Sequence, residues 1–192
     1  MQFSHSCSRQ RHKGFTLIET IVGIVILAIS FSVLTSLIFP VAQQSAEQLH
    51  QVKAAELAQS MLNEIQNKAF DDNSDMAGGQ LRCGETGAPN CSTDMGPETV
   101  LGGITETRAT FDDVDDYNNL VYNPGEVVNS QGLPLDLYFG YAMTINVCND
   151  ADYDGVCNTD PVIDKSIAKL ITITIITPTD FSMHFSTYRA NF

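Results

Sequence analysis

The chain has no tryptophan and is poor in positive charge. Ten Lys and Arg stand against twenty-three Asp and Glu in 192 residues, a formal net charge of −13. That deficit argues against nucleic acid as a partner, because a phosphate backbone is gripped by a basic footprint. Histidine is also scarce, with four in all. No H-E-x-x-H pair, G-x-S-x-G elbow, P-loop or G-x-G-x-x-G occurs, which removes the familiar routes to metalloprotease, hydrolase, nucleotide and dinucleotide chemistry. His50 and His184 stand alone and are read as structural or exposed. No catalytic residue is assigned, and an enzyme is not expected. No internal repeat is visible.

The most informative absence is local. From Thr20 to Phe39 twenty residues carry no charge, and thirteen of them are Ile, Val, Leu or Phe. A helix of that length spans roughly 30 Å, the hydrocarbon thickness of a bilayer. At about −0.3 to −0.6 kcal/mol each, the large apolar residues supply roughly −4 to −8 kcal/mol of insertion energy, diluted by Thr20, Ser30, Ser32, Thr35 and Ser36. Arg9, Arg11 and Lys13 precede the run and an acidic bulk follows it, so a single pass with the N-terminus in the cytoplasm is expected.

A secretory signal peptide would have a shorter apolar region, about 7–15 residues, ending at a small-x-small site. The residues from Pro40 to Glu47 offer no convincing site of that kind. A plain anchor explains the length but not Glu19, since a lone carboxylate among apolar neighbours is costly unless paired. Cleavage after Gly14 resolves the difficulty. It creates an α-amine on Phe15, a cation placed to pair with the Glu19 of an adjacent subunit. The string Gly14-Phe15-Thr16-Leu17-Ile18-Glu19 resembles the type III signal of type IV prepilins. The resemblance implies prepilin peptidase as a partner, an enzyme that cuts after the glycine and N-methylates the phenylalanine.

Loss of a leader spanning residues 1–14 would remove Arg9, Arg11 and Lys13 and take the net charge from −13 to −16. It would also remove Cys7, which no apolar run precedes as a lipoprotein cysteine requires. Four cysteines remain, in two close pairs, Cys83/Cys91 and Cys148/Cys157. An even count in an extracytoplasmic chain reads as disulfides. Three connectivities are possible, and the two local bridges are the expected set, each contributing on the order of 2–3 kcal/mol. Thiolate metal binding is disfavoured because neither pair has C-x₂-C spacing.

Downstream, Leu49, Val52, Ala55, Ala58, Met61/Leu62 and Ile65 recur at three- and four-residue steps. One helix is therefore expected from Thr16 to about Lys68, kinked or short of one hydrogen bond at Pro40. Residues 70–103 read as loop, with Gly78-Gly79, Gly96-Pro97 and Gly102-Gly103. Strands are expected at Thr107–Phe111, along the alternation Phe139, Tyr141, Met143, Ile145, Val147, along Ile171, Ile173, Ile175, and along Met183, Phe185, Thr187. Thr177-Pro178-Thr179-Asp180 is read as a hairpin turn. A long helix followed by antiparallel strands is an α+β arrangement. The expected divisions are a leader at 1–14, a transmembrane and assembly helix at 15–40, an amphipathic helix at 41–70 and a β-rich domain at 71–192.

Two acidic stretches stand out. In the first, Asp150, Asp152 and Asp154 alternate and Gly155 follows, the pattern of the first half of an EF-hand loop. The Val156 carbonyl falls at position seven and Asn158 at position nine. Position twelve is Pro161 rather than glutamate, so Asp160 or Asp164 would have to substitute. Calcium is the possible cofactor, against a solvated acidic loop tied by a disulfide. The second stretch, Asp112-Asp113-Val114-Asp115-Asp116, is read as a solvated face in preference to a cation site. Carboxylates in both are expected to be too solvated for raised pKa values. A third group, Asp71–Asp75, reads as a helix exit.

The segments His50–Asp75, Gly78–Cys83 and Phe111–Asn118 look like those of the minor pilin D group of mannose-sensitive haemagglutinin (MSHA) pili. That resemblance implies a type IV pilin-like fold in a bacterial inner-membrane protein. It implies processing, then incorporation into or at the tip of a surface fimbrium with other major and minor pilins through the assembly platform, in support of adhesion and biofilm formation. One departure is that major pilins tend to carry proline at the twenty-second mature residue, which here is Ser36, with the proline at Pro40. Size and acidic insertions favour a minor, capping subunit. The alternatives are a minor pseudopilin of type II secretion and a membrane-anchored calcium-dependent adhesin.

Overall fold

The computed structural model describes residues 14–75, 82–100, 103–158 and 165–191, with backbone only at 42, 43 and 100. The basic leader residues, Gly78, Gly79, Gly102, Asp160, Pro161 and Asp164 lie outside the described residues. The chain divides into two compact units, Met1–Ala46 and Glu47–Phe192. One helix, α1 (Leu17–Gln66), runs through both and continues across Pro40.

In the N-terminal unit the large apolar side chains are exposed, from Phe15 at 80% to Phe39 at 67%. Four of the five polar residues that dilute the run are satisfied within the helix. Thr20, Ser30, Thr35 and Ser36 donate to the carbonyls of Leu17, Ile26, Phe31 and Val33 at 2.8–2.9 Å. Internal bonding of this kind lets a hydroxyl sit in an apolar medium at little cost.

In the second unit, after the short strands β1 (Thr99–Val100) and β2 (Ile104–Thr105), a four-stranded sheet forms from β3 (Leu120–Tyr122), β4 (Ala142–Asn149), β5 (Ala168–Ile176) and β6 (Ser182–Ala190). All neighbours are antiparallel and in chain order. Alternation puts every second side chain on one face. Register then aligns Leu120, Ile145, Ile173 and Phe185 in one row, and Tyr122, Met143, Ile175 and Met183 in the next. These rows meet Ala54, Leu57, Ala58, Met61, Leu62 and Ile65 of α1 in a single core. On the other face Thr172 bonds Ser186 and Thr174 bonds His184 across the strand pair. The result is an α+β, pilin-like architecture, a long N-terminal helix followed by an antiparallel sheet.

The expected strands at 171–175 and 183–187 and the hairpin turn between them are present, with Thr177 N–H donating to Phe181 O and Asp180 N–H to Thr177 O. Three expectations need correction. Thr107–Phe111 is a turn, closed by Thr110 and Phe111 amides on the Thr107 carbonyl. Phe139 is not on the buried face of β4. It is 79% exposed, in the turn between a 3₁₀ helix at Asp136–Tyr138 and β4, where Gly140 takes φ +87°. The apolar stripe on α1 is also rotated at its start, since Leu49 and Val52 are 57% and 58% exposed. That helix carries apolar residues on more than one face, and the sheet rather than the local spacing selects which one is covered.

Cys83 pairs with Cys91 and Cys148 with Cys157, at Cα separations of 4.7 and 5.5 Å. Both bridges are the local ones.

Candidate functional site

At the head of α1 the signal residues form a helix start. Thr16 is the residue before the first helical position, and Glu19 is the third in. Thr16 Oγ1 accepts the Glu19 N–H at 3.4 Å, and Glu19 Oε2 accepts the Thr16 N–H at 3.5 Å. This is a capping box, which satisfies two amides that a helix start otherwise leaves bare. The T-x-x-E spacing was the signal for it, and it gives Glu19 a role within one chain beside the pairing expected across subunits. The carboxylate also sits where the helix dipole favours negative charge. Gly14, Phe15, Thr16 and Glu19 border an open hollow of about 420 Å³, so the Gly14–Phe15 bond and the carboxylate lie at one accessible place. Behind them runs a stretch with a mean hydropathy of 2.6 over its most apolar window, none of it buried. A core helix of comparable composition would be covered, so full exposure fits membrane anchoring.

The Asp150 loop brings Asp150, Asp152 and Asp154 together, with carboxylate oxygens within 4.8 Å of one another. Asp150 is buried. Its Oδ1 accepts the Asp154 amide at 3.3 Å, and its Oδ2 accepts the Gly155 amide and the Tyr188 hydroxyl at 2.9 and 2.7 Å. Although burial alone raises it, the Tyr188 hydroxyl and the Gly155 amide together hold this carboxyl below its usual range. Gly155 takes φ +83°, the left-handed turn that glycine permits, and Tyr153 takes φ +60° with its ring against Tyr188 at 4.9 Å. The Val156 amide is spent on Asp154, and its side chain is exposed. The Asn158 Oδ1 accepts the Ala151 amide at 2.7 Å. Hydrogen bonds within the loop, Tyr188 and the disulfide therefore account for its shape.

The second acidic stretch overturns its reading as a solvated face. Asp113, Asp115 and Asp116 are 0–1% exposed. Val114 and Tyr117, both at 0%, and Phe111 lie in the core and draw the run inward. Lys169, on β5 and itself buried, donates to Asp115 Oδ1 at 2.7 Å and to the Phe70 carbonyl at 2.6 Å, and reaches Asp71 Oδ2 at 3.5 Å. Asp71 is more than a helix exit. It is fully buried and also accepts the Asn73 and Ser92 amides at 3.0 and 2.9 Å. Around this group the expectation of ordinary pKa values also fails. Burial pushes the Glu98 carboxyl up to about 8, aided by the charges of Asp72, Asp116 and Asp115. Burial and Asp116 raise Glu106 to about 7. Burial and Asp112 raise Asp72 to about 6. Burial, with Asp115 beside it, holds Asp113 well above the carboxylate range. No sequence argument pointed to Glu98 or Glu106.

The two histidines are engaged structurally. His50 Nδ1 lies 2.8 Å from the Tyr141 hydroxyl, and His184 Nδ1 lies 2.9 Å from Thr174 Oγ1.

Compared with known families, the chain matches the prokaryotic N-terminal methylation motif over residues 9–35. No curated protein and no solved structure matches it. The motif implies processing by prepilin peptidase and assembly into a pilus or pseudopilus, and it supports a type IV pilin or pseudopilin.

Proposed function

We propose that this chain is a minor type IV pilin of the MSHA kind, a structural subunit without catalysis. In this reading residues 1–14 are removed by prepilin peptidase and Phe15 is N-methylated. Residues 15–40 then hold the subunit in the bacterial inner membrane with its leader side cytoplasmic, and later pack in the fibre. Residues 41–70 carry the helix into the globular part, which lies in the periplasm and then on the pilus at the cell surface. Other major and minor pilins and the assembly platform are its partners, and adhesion is the outcome. The carrying observation is the methylation motif over residues 9–35 joined to an apolar helical stretch of which none is buried. The finer MSHA assignment rests on the resemblance of His50–Asp75, Gly78–Cys83 and Phe111–Asn118. A type II secretion pseudopilin fits the same motif, and deletion of the gene separates them by whether surface fibres or secreted proteins are lost. Calcium in the Asp150–Asp154 loop remains part of the proposal, supported by the grouping of its three carboxylates.

The mechanism follows from the helix start. Cleavage places a cationic amine one residue before the capping threonine. As the subunit leaves the bilayer, its apolar helix exchanges lipid for other helices, so apolar burial is kept. Each Glu19 then pairs with a neighbour's Phe15 amine and sets the register. Glu19→Val is expected to leave insertion and cleavage intact and to reduce the chain recovered in sheared fibres by about tenfold or more, since a buried pair broken on one side costs about 3–5 kcal/mol. Normal incorporation of the variant would contradict the pairing.

A further inference from the structure

The globular unit buries an acidic group that neither assembly nor the Asp150 loop uses. Asp113 Oδ1 accepts the amides of Asp115 and Asp116 at 2.9 and 3.2 Å. In return Asp116 Oδ2 accepts the amides of Asp112 and Asp113 at 2.8 and 3.2 Å. Each aspartate thus spends one oxygen fixing the turn, and the other, Asp113 Oδ2 or Asp116 Oδ1, is buried without a donor. Across from them stands the β1–β2 hairpin. Its base is closed by the Glu106 amide on the Glu98 carbonyl at 2.9 Å, which sets the two glutamates side by side. Glu98 Oε2 and Glu106 Oε2 are likewise buried without a donor. Carboxylate oxygens of Glu98, Asp113 and Asp115 lie within 4.8 Å of one another, and so do those of Glu98, Glu106 and Asp116. Among the described residues the cation touching this group is Lys169, through Asp115, and Asp71 shares its charge.

Buried carboxylate oxygens turned on one another are costly when ionised unless a positive charge lies between them, a proton being the other way to neutralise them. We propose that Glu98, Glu106, Asp113 and Asp116, with Asp115 at the margin, bind a hard divalent cation of calcium's size. The donors are all oxygen, as such an ion requires. Ligands at about 2.3–2.6 Å on opposite sides of calcium stand about 5 Å apart, whereas magnesium at about 2.0–2.1 Å demands a tighter octahedron. The amide bonds to Asp113 and Asp116 hold their remaining oxygens in place before the ion arrives. Ile104 in the hairpin is 67% exposed, and the ion would fasten the base of the hairpin, at Glu98 and Glu106, to the body.

The proposal is independent of the processing reading and is tested on the full chain in detergent, stripped with chelator and titrated with calcium chloride by calorimetry and thermal unfolding. Wild type is expected to show saturable binding and a rise in Tm on the order of 5 °C at saturation. Glu98→Gln/Glu106→Gln is expected to weaken binding by at least about tenfold and to lose most of the rise. Asp152→Asn/Asp154→Asn is expected to remove any binding at the Asp150 loop and to keep the glutamate-dependent binding with most of the rise. Absence of binding by wild type overturns the proposal, and so does loss in the second variant with retention in the first. Should the glutamate variant not fold, hydrogen exchange of wild type with and without calcium chloride decides. Protection at residues 98–106 and 112–117 supports the site, and protection confined to 148–158, or none, overturns it.

Discussion

The two units of this chain invert the usual distribution of residues in opposite ways. The N-terminal unit exposes a run of large apolar side chains that a soluble domain would cover. The second unit buries Asp71, Asp113, Asp115, Asp116, Asp150 and Lys169, which a soluble domain would leave in water. Each inversion is stable only with a partner of the matching kind. For the helix that partner is lipid or other apolar helices. For Asp71 and Asp115 it is Lys169, and for Asp150 it is Tyr188 with the Gly155 amide. The oxygens of Asp113, Asp116, Glu98 and Glu106 point to a cation. The lesson is that exposure or burial against type is a statement about partners before it is one about stability.

The comparison breaks most severely at Lys169. Replacing it by methionine keeps the volume and leaves two buried carboxylates without their cation. Lys169→Met is expected to cost about 3–5 kcal/mol in urea unfolding of the full chain in detergent. A loss under about 1 kcal/mol would mean that the carboxylates are satisfied in another way. Next comes the helix, where both behaviours meet within sixteen residues. Ile65→Ala is expected to cost about 2–5 kcal/mol, and Leu49→Ala less than about 0.5 kcal/mol. Equal costs would show that the exposed start of the stripe is covered by its own domain after all.

The smallest effect is a pH dependence in the presence of chelator. Glu98, Glu106 and Asp72 are raised to about 8, 7 and 6, facing Asp112, Asp115 and Asp116. A carboxyl whose folded pKa lies above its unfolded value contributes stability that is complete below the unfolded pKa and is lost as pH rises through the folded one. The urea midpoint of the chelated chain is therefore expected to fall between pH 5 and pH 8. A midpoint that rises over that window would contradict the burial of these groups.

Much of the fold was legible. β5 follows from the alternation of Ile with Thr, β6 from the alternation of Met183, Phe185 and Thr187, and their turn from Thr177-Pro178-Thr179-Asp180. The interior of β4 follows in the same way. The span and the signal are local patterns, and so is the pairing of nearby cysteines. The missed features depend on distant residues. β3 is three residues long and exists through its pairing with β4. Thr107–Phe111 alternates weakly but turns back on its own carbonyls. The aspartates at 112–116 look solvated in sequence because Lys169 lies more than fifty residues away. Glu98 and Glu106 were invisible because two very short strands bring them to that turn.

The central claim is that the chain is matured at Gly14–Phe15, and the direct measurement is intact mass with N-terminal analysis of the protein from its native membrane. The account predicts a chain that begins at N-methyl-Phe15 and is four hydrogens lighter than its fully reduced form, matching the two disulfides. A chain that still begins at Met1 would contradict it and leave an anchored extracytoplasmic domain with no role in a fibre.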